Sequence, residues 1–222
     1  MPGSDSNQIP AIMKLVSEAQ PASILDVGVG WGKYGALFRM CLESGYANLS
    51  DRRNWKIRID GVEAFPEYIG AIQQAIYNHI FLEPIEQVLP KLGEYDLIFM
   101  GDVIEHFPKE KGRQLLEALL ARAQSRLILS TPNGPYSQGD ILGNPFERHQ
   151  SYWEIDDFLS YPHVEVYANK KSIIAVLSRF PIQQAGRRWA MGGYRRQPWT
   201  AALGAYLKYR WQRCCKQRQK AS

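Results

Sequence analysis

Two carboxylates and an imidazole crowd into Gly101-Asp102-Val103-Ile104-Glu105-His106, and a second imidazole, His149, follows in the polar stretch Asn144–Trp153. An imidazole titrates near neutral pH and can take the proton of a hydroxyl nucleophile, so His106 and His149 are the candidate general bases. Plainer readings stand beside these. His149 also suits a substrate anchor, or a residue packing against the helix that follows, and His106 suits simple loop packing. Asp102, Glu105, His106 and His149 offer ligand types for a cation, but no H-E-x-x-H or paired-cysteine spacing supports one, and no metal is expected.

A second constellation lies earlier, in Ile24-Leu25-Asp26-Val27-Gly28-Val29-Gly30-Trp31-Gly32-Lys33-Tyr34-Gly35. An apolar run passes into a helical stretch through closely spaced glycines. Glycine lets a ligand approach the backbone and tolerates positive φ, and the helix start beyond it offers unpaired N–H groups. The spacing Gly30-x-Gly32-x-x-Gly35 formally matches a dinucleotide fingerprint. Two acids argue for another nucleoside. Asp26 stands two residues before the first glycine, and Glu63 ends Ile59-Asp60-Gly61-Val62-Glu63, later than the ribose-binding acid of a dinucleotide site.

Leu25-Asp26-Val27-Gly28-Val29-Gly30-Trp31-Gly32 resembles the first motif of class I S-adenosylmethionine-dependent methyltransferases, over roughly residues 20–180. Asp102-Val103-Ile104-Glu105-His106 is similar to a segment of the ubiquinone-biosynthesis type and of many small-molecule enzymes of that family. The resemblance implies S-adenosylmethionine as cofactor. It places Asp26, Gly28, Gly30 and Gly32 at the amino-acid part of the cofactor and Glu63 at both ribose hydroxyls. It also puts Phe65 on the adenine ring, Glu83 near the adenine amine, and Gly101 and Asp102 at the end of the fourth strand. For Glu83 an ordinary exposed acid is an equal reading.

These residues need a scaffold, and the chain supplies one. Short β-rich runs at 23–29, 57–62, 79–82, 95–101, 126–131, 163–167 and 172–179 alternate with helical stretches at 9–18, 32–43, 67–78, 111–123 and 154–160. This predicts an α/β fold, a Rossmann-like seven-stranded and mostly parallel sheet with helices on both faces. No helix separates the last two strands, so they form a hairpin that adds a terminal antiparallel strand. Residues 132–150 hold three glycines and three prolines with Tyr136 and Phe146, which suits a substrate lid.

The 222 residues suffice for one domain, set at 1–182, with an appended segment at 183–222. That segment has seven Arg, three Lys and no acid, so the net charge of +5 conceals a body at −5. Its interleaved tryptophans and tyrosines suit peripheral contact with anionic lipid, at the inner face of a membrane, or a solvated tail; nucleic acid is less favoured. Three cysteines without ligand spacing and no apolar leader point to a cytoplasmic setting. The expected activity is O-methylation of a small molecule, glycan or lipid precursor. The rivals are an RNA methyltransferase, though Thr131-Pro132-Asn133-Gly134 is not an Asn-Pro-Pro-Tyr motif, a non-catalytic cofactor-binding regulator, and a dehydrogenase.

Overall fold

The computed structural model describes residues 6–43 and 49–182. The aromatic, basic segment 183–222, with Cys214 and Cys215, lies outside the described residues. Among those described, no helix is long and apolar enough to cross a membrane.

Seven strands form one sheet in the order β3-β2-β1-β4-β5-β7-β6. They are β1 (Ser23–Val27), β2 (Arg58–Val62), β3 (His79–Phe81), β4 (Tyr95–Gly101), β5 (Ala123–Pro132), β6 (Val164–Ala168) and β7 (Ser172–Leu177). The first five pair in parallel, and only β7 runs against its neighbours, between β5 and β6. The expected hairpin is present, with the antiparallel strand inside the sheet and β6 at the edge.

Helices cover both faces because the strands are apolar on both. Leu25, Val27, Ile98 and Met100 pack on one side with Leu115, Leu116, Leu119, Trp153 and Phe158. Ile24, Ile59, Leu97 and Phe99 pack on the other with Ile12, Val16, Tyr34 and Phe38. Helix α1 (Ile9–Ala19) buries Ile12, Leu15 and Val16, and α2 is Lys33–Leu42. Beyond a short α3 (Ala71–Ile76) and a single-turn α4 (Ile85–Val88), helix α5 (Lys109–Leu120) buries Gly112, Leu115, Leu116 and Leu119, and α6 is Ile155–Phe158. The i, i+3, i+4, i+7 spacing in α5 is that of one helix face.

Several boundaries shift for local reasons. Strand β1 stops at Val27 because Gly28 turns the chain at φ +84°. The helix predicted at 67–78 splits into a 3-10 turn at Pro66–Tyr68 and α3, with extended Gly70 between them. Helix α5 starts directly after Pro108 and ends before Ala123, which already pairs with Tyr95 in the sheet.

One packing contact sets the depth of the site. Tyr77, just after α3, is buried beneath α2 and reaches β1 only because two positions lack a Cβ. A Cβ on Gly35 would stand 2.2 Å from the Tyr77 ring, and one on Gly61 would stand 2.4 Å from Val29 Cγ2 and 3.2 Å from Tyr77. Gly35→Ala is therefore expected to lose about 1–3 kcal/mol of stability through overpacking, read as a lower urea midpoint at unchanged m-value. An unchanged midpoint would show that Tyr77 can retreat freely.

Candidate functional site

Chain order reverses between β1 and β4. From β1 the chain builds outward to β2 and β3, then returns to place β4 on the other flank of β1. Ligands of open α/β sheets bind beyond the carboxyl ends of strands at such a point. A cavity of about 510 Å³ lies there, lined from residues 26–34, 62–68, 84–87, 101–111 and 144–150.

The glycine turn forms its floor. Gly28, Gly30 and Gly32 have φ of +84°, +50° and +77°, conformations that L side chains rarely adopt. A Cβ on Gly28 would also collide with Val103 Cγ2 at 2.4 Å. The amides of Gly28 and Val29 both donate to the Val62 carbonyl, at 2.9 and 3.1 Å, so the turn is laid across the end of β2. Gly32 then caps α2.

Two acids converge on this turn from different strands. Asp26 Oδ2 accepts a 2.5 Å hydrogen bond from the Tyr77 hydroxyl. Burial pushes the Asp26 carboxyl up to about 7, against the lowering effect of Tyr77, and the nearby Glu63 carboxylate adds to the rise. Glu63 Oε2 accepts from the Gly30 amide at 2.7 Å and Oε1 from the Phe65 amide at 2.9 Å. Burial raises Glu63 as well, and those two amides hold it back. Lys33, at the start of α2, also lines the cavity; burial lowers its ammonium while Asp102 and Asp26 raise it.

The end of β4 forms the opposite wall. Asp102 sits at φ +52°, a left-handed conformation uncommon for a non-glycine residue, and residues held so cluster at functional sites. Its amide donates to the Ser130 carbonyl at 2.9 Å and its Oδ1 accepts from Ser130 Oγ at 3.1 Å. The next turn carries Glu105, fully buried, whose Oε2 accepts from Thr131 Oγ1 at 3.0 Å. Burial, and then the Asp102 charge, raise its carboxyl well above the ordinary range. Burial followed by His149 lowers His106 to about 4. The two imidazole centroids are 5.0 Å apart.

Asp26, Gly28, Gly30, Glu63, Gly101, Asp102 and His106 thus meet at one cavity. Gly32 stands one step back, as the α2 cap. Phe65 and Glu83 are not among the lining residues: Phe65 turns its ring edge to Tyr68, which does line the cavity, and Glu83 pairs outward with Lys91 at 2.6 Å. His149 is also outside the lining and stands against His106. Of the 132–150 loop, the last part reaches the cavity, with Asn144, Glu147 and Gln150 in its wall and the Tyr68 hydroxyl donating to Glu147 at 3.1 Å. Sequence reasoning passed over Tyr68, Lys33 and Glu147. Only Lys33, inside the glycine motif, carried a local signal.

No protein-family model matches the chain, and no curated protein matches it in sequence. Solved structures share its architecture. The N-terminal domain of EvdMO1, solved with SAH bound, is 15% identical over 78% of this chain and 80% of that one, with a TM-score of 0.52. A hypothetical protein of Thermus thermophilus is 14% identical over 80% and 88%, also at 0.52. An O-methyltransferase family protein of Burkholderia thailandensis is 10% identical over 80% of this chain and 57% of its own, at 0.50. At these identities the shared property is the fold, and the chain has the Rossmann-like fold of solved methyltransferases.

Proposed function

We propose that the chain is a class I S-adenosylmethionine-dependent methyltransferase acting on a hydroxyl of a small molecule, glycan or lipid precursor. The observation that carries this reading is the meeting of Asp26, the glycine turn and Glu63 on one cavity at the β1/β4 switch. The volume suits a nucleoside-sized ligand with room beside it for an acceptor.

Charge favours this cofactor over a phosphate-bearing one. Asp26, Glu63, Glu86, Asp102 and Glu147 line the cavity against Lys33 and Lys111. A dinucleotide pyrophosphate would meet net repulsion there, whereas a sulfonium with an α-ammonium group meets attraction. Glu63 has acceptor capacity on both oxygens beyond the Gly30 and Phe65 amides, so a ribose diol can bond to it without displacing the turn. Asp26 faces the amino-acid end, Val62, Ile85 and Val103 give a flat base an apolar bed, and Tyr68 takes the aromatic place that the sequence gives to Phe65.

Methyl transfer is an in-line displacement, so catalysis rests on alignment of nucleophile, methyl and sulfur. The acceptor oxygen gains the methyl and loses its proton, and the sulfur keeps the electron pair of the broken C–S bond. His106 is the imidazole at the cavity wall, with His149 set against it, and together they receive the acceptor hydroxyl.

Isothermal titration is expected to show micromolar binding of S-adenosylhomocysteine and none of NADH, with Glu63→Gln at least tenfold weaker because one charge-assisted contact to the diol is lost. Tight NADH binding would establish the dehydrogenase instead. The Asp26 shift sets a pH dependence. The group stands at about 7 when folded against 3.8 unperturbed, so the folded chain holds a proton through that window. Apo stability from this source is therefore greatest below pH 4 and lost as pH rises through 7. Affinity for the ammonium-bearing ligand runs the other way, tightening between pH 6 and 8 as Asp26 ionises. Asp26→Asn should raise the apo Tm at pH 8 but not at pH 4, and flatten the affinity profile; an unaltered profile would take Asp26 out of the ligand contact. His106→Ala is expected to cut methyl-donor consumption with a hydroxyl acceptor by about 10² or more while S-adenosylhomocysteine affinity holds. Equal loss of both would make His106 structural.

A further inference from the structure

Glu105, His106 and His149 each place one potential ligand atom within 4.8 Å of the other two. The first two belong to the turn after β4 and the third to the loop 43 residues on, so their meeting is a product of the fold. That meeting is braced. The amides of Gln150 and Ser151 donate to the Glu105 carbonyl at 2.9 and 3.1 Å, and Gln150 Nε2 donates to the His106 carbonyl at 2.6 Å. Two main-chain bonds and one side-chain bond thus join loop and turn beside the imidazoles.

The ring orientations suit ligation. His106 Nδ1 lies 3.3 Å from the Arg148 carbonyl and His149 Nδ1 lies 2.7 Å from the Tyr136 carbonyl. A carbonyl oxygen only accepts, so in the neutral tautomer that these two contacts favour, Nδ1 carries the hydrogen and Nε2 is the nitrogen that can ligate. Fixing one ring nitrogen to a backbone carbonyl so that the other can ligate is the usual support of a metal-binding histidine. Glu105 has the corresponding support, its Oε2 held by Thr131 Oγ1 at 3.0 Å. Ligand atoms within 4.8 Å of one another close to the roughly 2.1 Å bond lengths of a divalent ion with side-chain shifts of at most about 0.8 Å each.

We propose that Glu105, His106 and His149 form a binding site for a first-row divalent transition-metal cation, placed at the wall where the acceptor enters. Two imidazoles and one carboxylate favour zinc, cobalt, iron or manganese over the all-oxygen preference of calcium and magnesium, and three protein ligands leave coordination positions open. The site itself does not depend on the methyltransferase reading. Its role does rest on that reading, with His106 and His149 then serving as ligands in place of bases: a hydroxyl acceptor bound through the cation would give up its proton to water more readily and attack the methyl group, yielding the methyl ether, the thioether and one released proton.

Cobalt(II) titration of the full chain, read by visible ligand-field absorption and by bound metal after gel filtration, tests the site. The expected result is one equivalent per chain that is lost in both His149→Ala and Glu105→Gln, while both variants still bind S-adenosylhomocysteine. Thr131→Ala, which removes only the support of Glu105, should weaken cobalt binding about tenfold. Retention of the cobalt equivalent in both ligand variants overturns the proposal, as does failure of the wild-type chain to take up cobalt while it binds S-adenosylhomocysteine. Cobalt uptake that depends on these residues in a chain that does not bind S-adenosylhomocysteine keeps the cation site and removes the methyltransferase reading.

Discussion

The Glu63 carboxylate, held by the amides of Gly30 and Phe65, is the joint around which the site is arranged. It ties the glycine turn after β1 to the end of β2, and the Gly28 and Val29 amides close the same joint from the other side through the Val62 carbonyl. The left-handed conformations at Gly28, Gly30 and Gly32 are the geometry that this joint demands. Without it, the turn has no fixed relation to β2, and the acid of one strand cannot share a ligand with the backbone of another.

The joint is costly to stability. Asp26 and Glu63 are both raised by burial, and Asp26 is raised further by Glu63 itself. Tyr77 offsets part of this by donating to Asp26, and Gly35 and Gly61 exist as glycines to admit its ring. Buried acids that repel each other around a cavity form a site waiting for positive charge. Under the proposed function, the electrostatic penalty of these buried acids and the affinity for a cationic nucleoside would be one property seen in two states.

The fold was legible wherever the sequence writes its own period. Strands β1, β4 and β7 and the centre of β5 are apolar runs, and the parallel order of the first five strands follows from the helical segments between them. The position of β7 was also written in the chain: Ser172-Ile-Ile-Ala-Val-Leu177 is buried throughout, as an interior strand must be, while Val164-Glu-Val-Tyr-Ala168 is only partly covered, as an edge strand can be. A hairpin read from its turn alone does not say which arm meets β5. Asp26 and Glu63 could be placed because strand ends are local features. Tyr77 could not, since it reaches Asp26 across 51 residues and depends on two glycines in other elements. Tyr68 stands where Phe65 was expected because the Pro66–Tyr68 turn carries the chain three residues further before presenting a ring. The meeting of Glu105, His106 and His149 has no spacing signature at all, because main-chain bonds between a turn and a distant loop create it.

A crystal structure of the chain soaked with S-adenosylhomocysteine tests the central claim most directly. The ribose hydroxyls are expected within about 3 Å of the Glu63 oxygens, with the amino-acid end of the ligand over Gly28 and Gly30 on the Asp26 side. Density for the ligand away from Glu63, or a glycine turn that must break its bond to Glu63 to admit it, would contradict the account.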